Sequence, residues 1–211
     1  MKVLVAGATG GTGRHLIDQL LRLNHEPIAL LRPSSADAEL PGNCQSRIGD
    51  LTDLPDKIVH GVDGVVFAAG AGSDTGKDAT DAVDRDGAIA LIETAKGAGV
   101  ERFVMLSSKG ADAPNDAPQE MRRYLQAKAA ADTHLRNSGL DYAIVRPISL
   151  SDEIGDGAVV IARHVDPQGE IPRTDVAAIL SHALTHERAR NETFEAGPGA
   201  SAIVRALDLL S

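Results

Sequence analysis

Residues Gly7 to Arg14 read GATGGTGR, which sets Gly7, Gly10 and Gly13 three apart, directly behind a short apolar run at 3–6. Between a strand and a helix, the first such glycine allows a tight turn. The second lets the backbone approach a pyrophosphate, and the third lets helix and strand pack closely. Thr9, Gly11 and Thr12 complete the loop, and the helix amino terminus offers N–H donors and the positive end of its dipole to an anion. The chemistry expected here is dinucleotide binding. The next apolar run, 27–31, ends in Arg32. An acidic residue at that point would hold a ribose 2′-hydroxyl and select NAD, whereas a guanidinium suits a 2′-phosphate. Arg14 could add a second positive group, and Ser34 and Ser35 could add hydroxyls, so NADP is expected over NAD. Asp50 and Leu51, in IGDLTD, stand where a carboxylate and an adjacent N–H could recognise adenine; capping of a following helix by Asp50 or Thr52 is the equal alternative. Ala68, Ala69 and Gly70 are small enough to let a cofactor pass close over the backbone.

These residues need a scaffold that brings strand ends together. Apolar runs rich in Val and Ile predict strands at 3–6, 27–31, 45–48, 64–69, 102–107, 142–146 and 193–196, and helical periodicity predicts helices at 11–23, 78–98, 119–137, 175–185 and 202–210. Alternation of this kind predicts a doubly wound, mostly parallel α/β sheet of Rossmann type with helices on both faces. A single domain over 1–211 is expected, with 148–172 forming a small cap on the substrate side, since too few residues follow Pro147 for a second domain.

The chain has 211 residues, with 21 Lys+Arg against 30 Asp+Glu for a net charge of −9. That balance repels phosphate backbones and argues against a nucleic-acid partner, as does an aromatic content of 2% with no Trp to stack on bases. No apolar stretch approaches the ~20 residues that span a bilayer, and the first residues are too briefly apolar for a signal peptide. Cys44 is the only cysteine, which excludes an internal disulfide or a multi-thiolate zinc site and fits a reducing compartment, the cytoplasm by default. His182 and His186 are four apart in HALTH, without the glutamate of a zinc-protease helix; they are read as a surface pair, and no metal is expected. The acidic run 74–86 reads as a solvated loop and first helical turn.

Taken together, GATGGTGR, LLRP, GDLTD, FAAGAG, the block from Val83 to Ser108, YLQAKAAADTHLRNSGLDYAIVRP and RTDVA resemble the short-chain dehydrogenase/reductase superfamily. The likeness is to its atypical NAD(P)-binding branch, with NmrA-like and biliverdin reductase B-like proteins, and it spans nearly the whole chain. It implies an oxidoreductase whose tyrosine and lysine act on a carbonyl or related acceptor. The pattern falls on Tyr124 and Lys128, with Ser108, or less favourably Ser107, beside them. Tyr124 and Lys128 would share a helix face, where an ammonium beside a phenol favours the phenolate and eases proton exchange as hydride moves. Lys128 could also bond the nicotinamide ribose, and the serine could polarise a substrate oxygen. Pro147 and Ile148 fall on the cofactor side, Ile148 where a glycine is common. Arg173 could face the cofactor, with Asp175 at a helix start. The branch also includes redox sensors that bind the dinucleotide and signal to a protein partner, and epimerase or dehydratase relatives that oxidise transiently. A small-molecule substrate is the expected partner.

Overall fold

The structure is a computed structural model that describes residues 1–70, 80–166 and 169–210. Its main sheet has nine strands in the order β11-β8-β10-β6-β5-β4-β1-β2-β3. These are β1 (Lys2–Ala6), β2 (Glu26–Leu31), β3 (Gln45–Ile48), β4 (Gly64–Phe67), β5 (Arg102–Leu106), β6 (Asp141–Pro147), β8 (Ala158–Ala162), β10 (Glu192–Pro198) and β11 (Ser201–Ala202). Every pairing from β3 across to β10 is parallel, and only β8 runs antiparallel, against β10 and β11. β7 (Leu150–Ser151) and β9 (Ile171–Pro172) form a separate parallel pair.

The helices are α1 (Gly11–Arg22), α2 (Ala88–Gly97), α3 (Gln119–Asn137), α4 (Arg173–Ala183) and α5 (Ile203–Asp208), and a π-helical stretch Asp81–Gly87 leads into α2. Strand side chains alternate between two cores. Val3, Val5, Val104 and Val145 pack under α1 and α4, through Leu16, Ile17, Leu20, Val176, Ile179 and Leu180. Leu4, Val65, Phe67 and Met105 face the other way, under Leu91, Ile92, Ala131 and Leu135 of α2 and α3. With both faces covered, the central strands are apolar throughout, which is why they stand out in the sequence.

Three differences from the sequence reading have physical causes. The segment expected as a cap is partly built into the sheet: β8 pairs with β10, so the apolar run AVVIA is a strand whose exposed Val160 alternates with buried Val159 and Ile161. No helix begins at Asp50 or Thr52. Instead Asp50 Oδ1 accepts hydrogen bonds from Thr52 N at 2.9 Å and Thr52 Oγ1 at 2.7 Å, closing a side-chain turn. The predicted 78–98 helix divides into the π-helical stretch and α2, and its first two residues lie outside the described ones. Gly87 permits that packing, since a Cβ there would meet Leu51 Cβ at 2.8 Å.

Candidate active site

At the carboxyl end of β1, Gly7 turns with φ +85°, and a Cβ on it would lie 2.6 Å from the Ala68 and Ala69 backbone. A Cβ on Gly13 would lie 2.0 Å from Gly7 O. Both positions therefore exclude any side chain, so the turn, the start of α1 and the end of β4 close on one another backbone to backbone. Gly10 N donates to Gly7 O at 3.0 Å, and Gly10 itself is extended at the amino cap of α1, without a side chain to satisfy the free N–H groups beyond it.

Two cavities meet over this turn. One of about 320 Å³ is lined by Gly7, Thr9 and Gly10 at the turn, by Arg32 and Ser35 after β2, and by Asp50 and Leu51 after β3. The other, about 1000 Å³, is lined by Gly10, Gly11 and Thr12 at the turn, by Arg173, and by Ser107, Tyr124, Lys128 and Leu150. Gly10, Ala68, Ala69 and Gly70 border both. A side-chain-free floor, open helical N–H donors, and an arginine at one end with a Tyr/Lys pair at the other fit the two halves of a dinucleotide laid across the strand ends. Arg14, Ser34, Ser108, Pro147 and Ile148 do not line either cavity. Arg14 Nε donates to Thr9 O at 3.3 Å, Ser108 Oγ donates to Lys109 O at 3.2 Å, Pro147 O accepts from Lys109 N, and Ile148 N donates to Ala196 O. The serine that the fold turns to the cavity is Ser107.

Tyr124, Lys128 and Asp132 stand at successive turns of one face of α3. The Lys128 ammonium is 5.7 Å from the Tyr124 ring centroid, 2.9 Å from Asp84 Oδ1 and 3.2 Å from Leu106 O, to which it donates. Burial works against its charge, but the charges of Tyr124, Asp84 and Asp132 and the hydrogen bond to Asp84 outweigh that, and Lys128 is held above the ordinary lysine range. Asp84 corrects the reading of the acidic run as wholly solvated: it is 2% exposed, because the π-helical stretch turns it inward onto Lys128. Nearby Asp81 is held below the usual carboxylate range, chiefly by its hydrogen bond from Arg123 at 2.9 Å.

Sequence reasoning also passed over a buried trio. Ser107 Oγ donates to Asp132 Oδ2 at 2.8 Å, and Arg146 donates to the same oxygen from Nε at 3.0 Å and Nη2 at 2.8 Å. The signal was present: Arg146 interrupts an apolar strand, and Asp132 falls four residues beyond Lys128. Arg173 lies over Gly11 and pairs with Asp152 at 2.7 Å.

The family described as NAD(P)H-binding matches residues 7–187. The chain belongs to that family. It is 35% identical, over the whole of both chains, to a Bacillus subtilis (strain 168) protein named as an uncharacterized sugar epimerase, YhfK. It is 34% identical over 90% of its length, and 89% of the other's, to the UPF0659 protein YMR090W of Saccharomyces cerevisiae. Among solved structures, a Bacillus halodurans protein provisionally named an NAD-dependent epimerase/dehydratase superposes with a TM-score of 0.94 at 37% identity, covering 99% of each chain. The oxidoreductase ylbE of Lactococcus lactis superposes at 0.87 with 25% identity, over 99% of this chain and 95% of that one. The NAD(P)H-binding family thus groups oxidoreductases with epimerase-like proteins, in agreement with the atypical short-chain dehydrogenase/reductase resemblance. Among the described residues, no helix is long and apolar enough to cross a membrane, and no group of three or more acidic, His or Cys side chains is arranged to hold a metal.

Proposed function

We propose that this NAD(P)H-binding protein is an oxidoreductase that prefers NADP(H) and works on a small organic acceptor such as a carbonyl, a quinone or a flavin. The observation that carries the reading is the convergence of Tyr124 and Lys128 on the cavity that begins at the glycine turn. When bound, the nicotinamide supplies or receives the hydride. Gly7, Gly10 and the first N–H groups of α1 hold the pyrophosphate, and Ala68, Ala69 and Gly70 let it lie close. Arg32, with Ser35 beside it in the smaller cavity, takes the 2′-phosphate; Asp50 and Leu51 take the adenine end.

Tyr124 is the proton donor to the acceptor. Lys128 keeps a cation within reach of the phenol and of the nicotinamide ribose, and Asp84 fixes the ammonium so that it does not wander between roles. In a single NAD(P)-binding domain, the loop that carries Leu150 to the larger cavity serves the substrate side, which is what supports reading part of 148–172 as a cap. A reducing, cytoplasmic setting accords with the single cysteine. Titration with reduced dinucleotide, followed by acceptor-dependent oxidation in the parent and in Tyr124→Phe, tests the reading.

A second reading draws on the names given to the Bacillus relatives: an epimerase cycle in which the nicotinamide is oxidised and reduced without release. It differs in one result, turnover of a sugar nucleotide with no net change in cofactor absorbance.

A further inference from the structure

Ser107 directly follows β5, at the wall of the larger cavity, and is 3% exposed. Its hydroxyl shares Asp132 Oδ2 with two N–H groups of Arg146. Asp132 is 0% exposed, and burial, outweighing the pull of Arg146, Ser107 and Lys128, holds its carboxyl above the ordinary aspartate range. Geometry decides the charge. A proton on Oδ2 would face the two Arg146 N–H donors, which cannot accept, and a proton on Oδ1 would be a buried donor with no acceptor, since Oδ1 has no hydrogen-bond partner among the described residues. It would also leave the Arg146 guanidinium, 9% exposed, with only the exposed Asp112 at 3.8 Å in place of the carboxylate 2.8 Å away. Asp132 is therefore a carboxylate, which only accepts.

A serine hydroxyl has one proton, and Ser107 spends it on Asp132. Toward the cavity it presents lone pairs alone. We infer that Ser107 serves the site as a hydrogen-bond acceptor for the carboxamide N–H of the nicotinamide, with Asp132 and Arg146 as positioning residues that fix this polarity. The inference rests on the dinucleotide reading above. It replaces the expectation that a serine here polarises a substrate oxygen, which would need the proton Asp132 has taken. The carboxamide is favoured over a substrate hydroxyl because Ser107, 3% exposed, lines the cavity together with Ala68, Ala69 and Gly70, the floor over which the dinucleotide is read to lie.

The test is a set of dissociation constants, read by cofactor fluorescence, for NADPH and for its reduced 3-acetylpyridine analogue, which has an acetyl group in place of the carboxamide and so no N–H. Ser107→Ala is expected to weaken NADPH by about five- to tenfold and to change the analogue less than about twofold. In Asp132→Asn the side-chain amide can donate to Ser107 and free its proton for the cavity, so the parent's preference for NADPH over the analogue should narrow or invert; a purely structural role would weaken both ligands alike. Equal losses for both ligands in Ser107→Ala, or no loss for either, would overturn the inference while leaving dinucleotide binding intact. Failure of the parent to bind either ligand would overturn the dinucleotide reading and this inference with it. If Asp132→Asn does not fold, the Ser107→Ala pair decides alone.

Discussion

The ammonium of Lys128 lies 2.9 Å from Asp84 Oδ1 with side-chain exposures of 4% and 2%, so a buried ion pair joins α3 to the π-helical stretch before α2 directly behind Tyr124. Breaking such a pair from one side strands a charge. Asp84→Asn should cost about 3–5 kcal/mol in urea unfolding. Glu26→Gln, which removes the exposed partner of Lys2 4.0 Å away, should cost no more than about 1 kcal/mol. Similar small losses for both would mean that Lys128 is not held by Asp84.

The same pair has a pH signature. Lys128 is held above its ordinary 10.5, so its folded-state advantage is complete below that value and is lost as pH rises through the higher folded one. The difference in unfolding free energy between the parent and Lys128→Met, which also strands Asp84, should therefore not fall with rising pH below about pH 10.5 and should shrink above it. A difference that shrinks between pH 6 and 9 would contradict the assignment.

Gly13 and Gly97 should respond oppositely to alanine. A Cβ at Gly13 would lie 2.0 Å from Gly7 O, so Gly13→Ala should force the turn from α1, lowering stability and abolishing dinucleotide binding. Gly97 ends α2 with nothing within 4 Å of its would-be Cβ, and Gly97→Ala should gain about 0.5–1 kcal/mol with binding unchanged. Thermal unfolding and a binding titration on both variants check this.

Arg32 is exposed at the smaller cavity, at the end of β2. Arg32→Asp should weaken NADPH by well over tenfold, more than ~1.4 kcal/mol, and NADH far less. Competitive titration of the two reduced cofactors measures it, and equal losses would remove Arg32 from 2′-phosphate binding.

Much of this architecture was legible in the sequence because doubly covered strands are apolar on both faces and the glycine turn sits between the first strand and helix. α3 was readable to its exact bounds from helical periodicity. What escaped notice depended on contacts between segments far apart in the chain. Nothing local distinguishes Asp84 from its acidic neighbours until the π-helical turn aims it at Lys128, 44 residues on in the numbering. Which serine faces the cavity is set by where β5 stops, at Leu106, so that Ser107 points to the cleft and to Asp132 while Ser108 turns to the Lys109 carbonyl. β8 was hidden because a five-residue strand next to the sheet's edge, with only two of its residues buried, looks like loop.

The most direct measurement is NADPH titration by cofactor fluorescence, then loss of NADPH absorbance on adding aldehyde, ketone, quinone and flavin acceptors, in the parent and in Tyr124→Phe. The account predicts saturable binding by both proteins, oxidation with at least one acceptor by the parent, and a drop in that rate of about a hundredfold or more in the variant. Equal turnover in the two, or no binding by the parent, would contradict it.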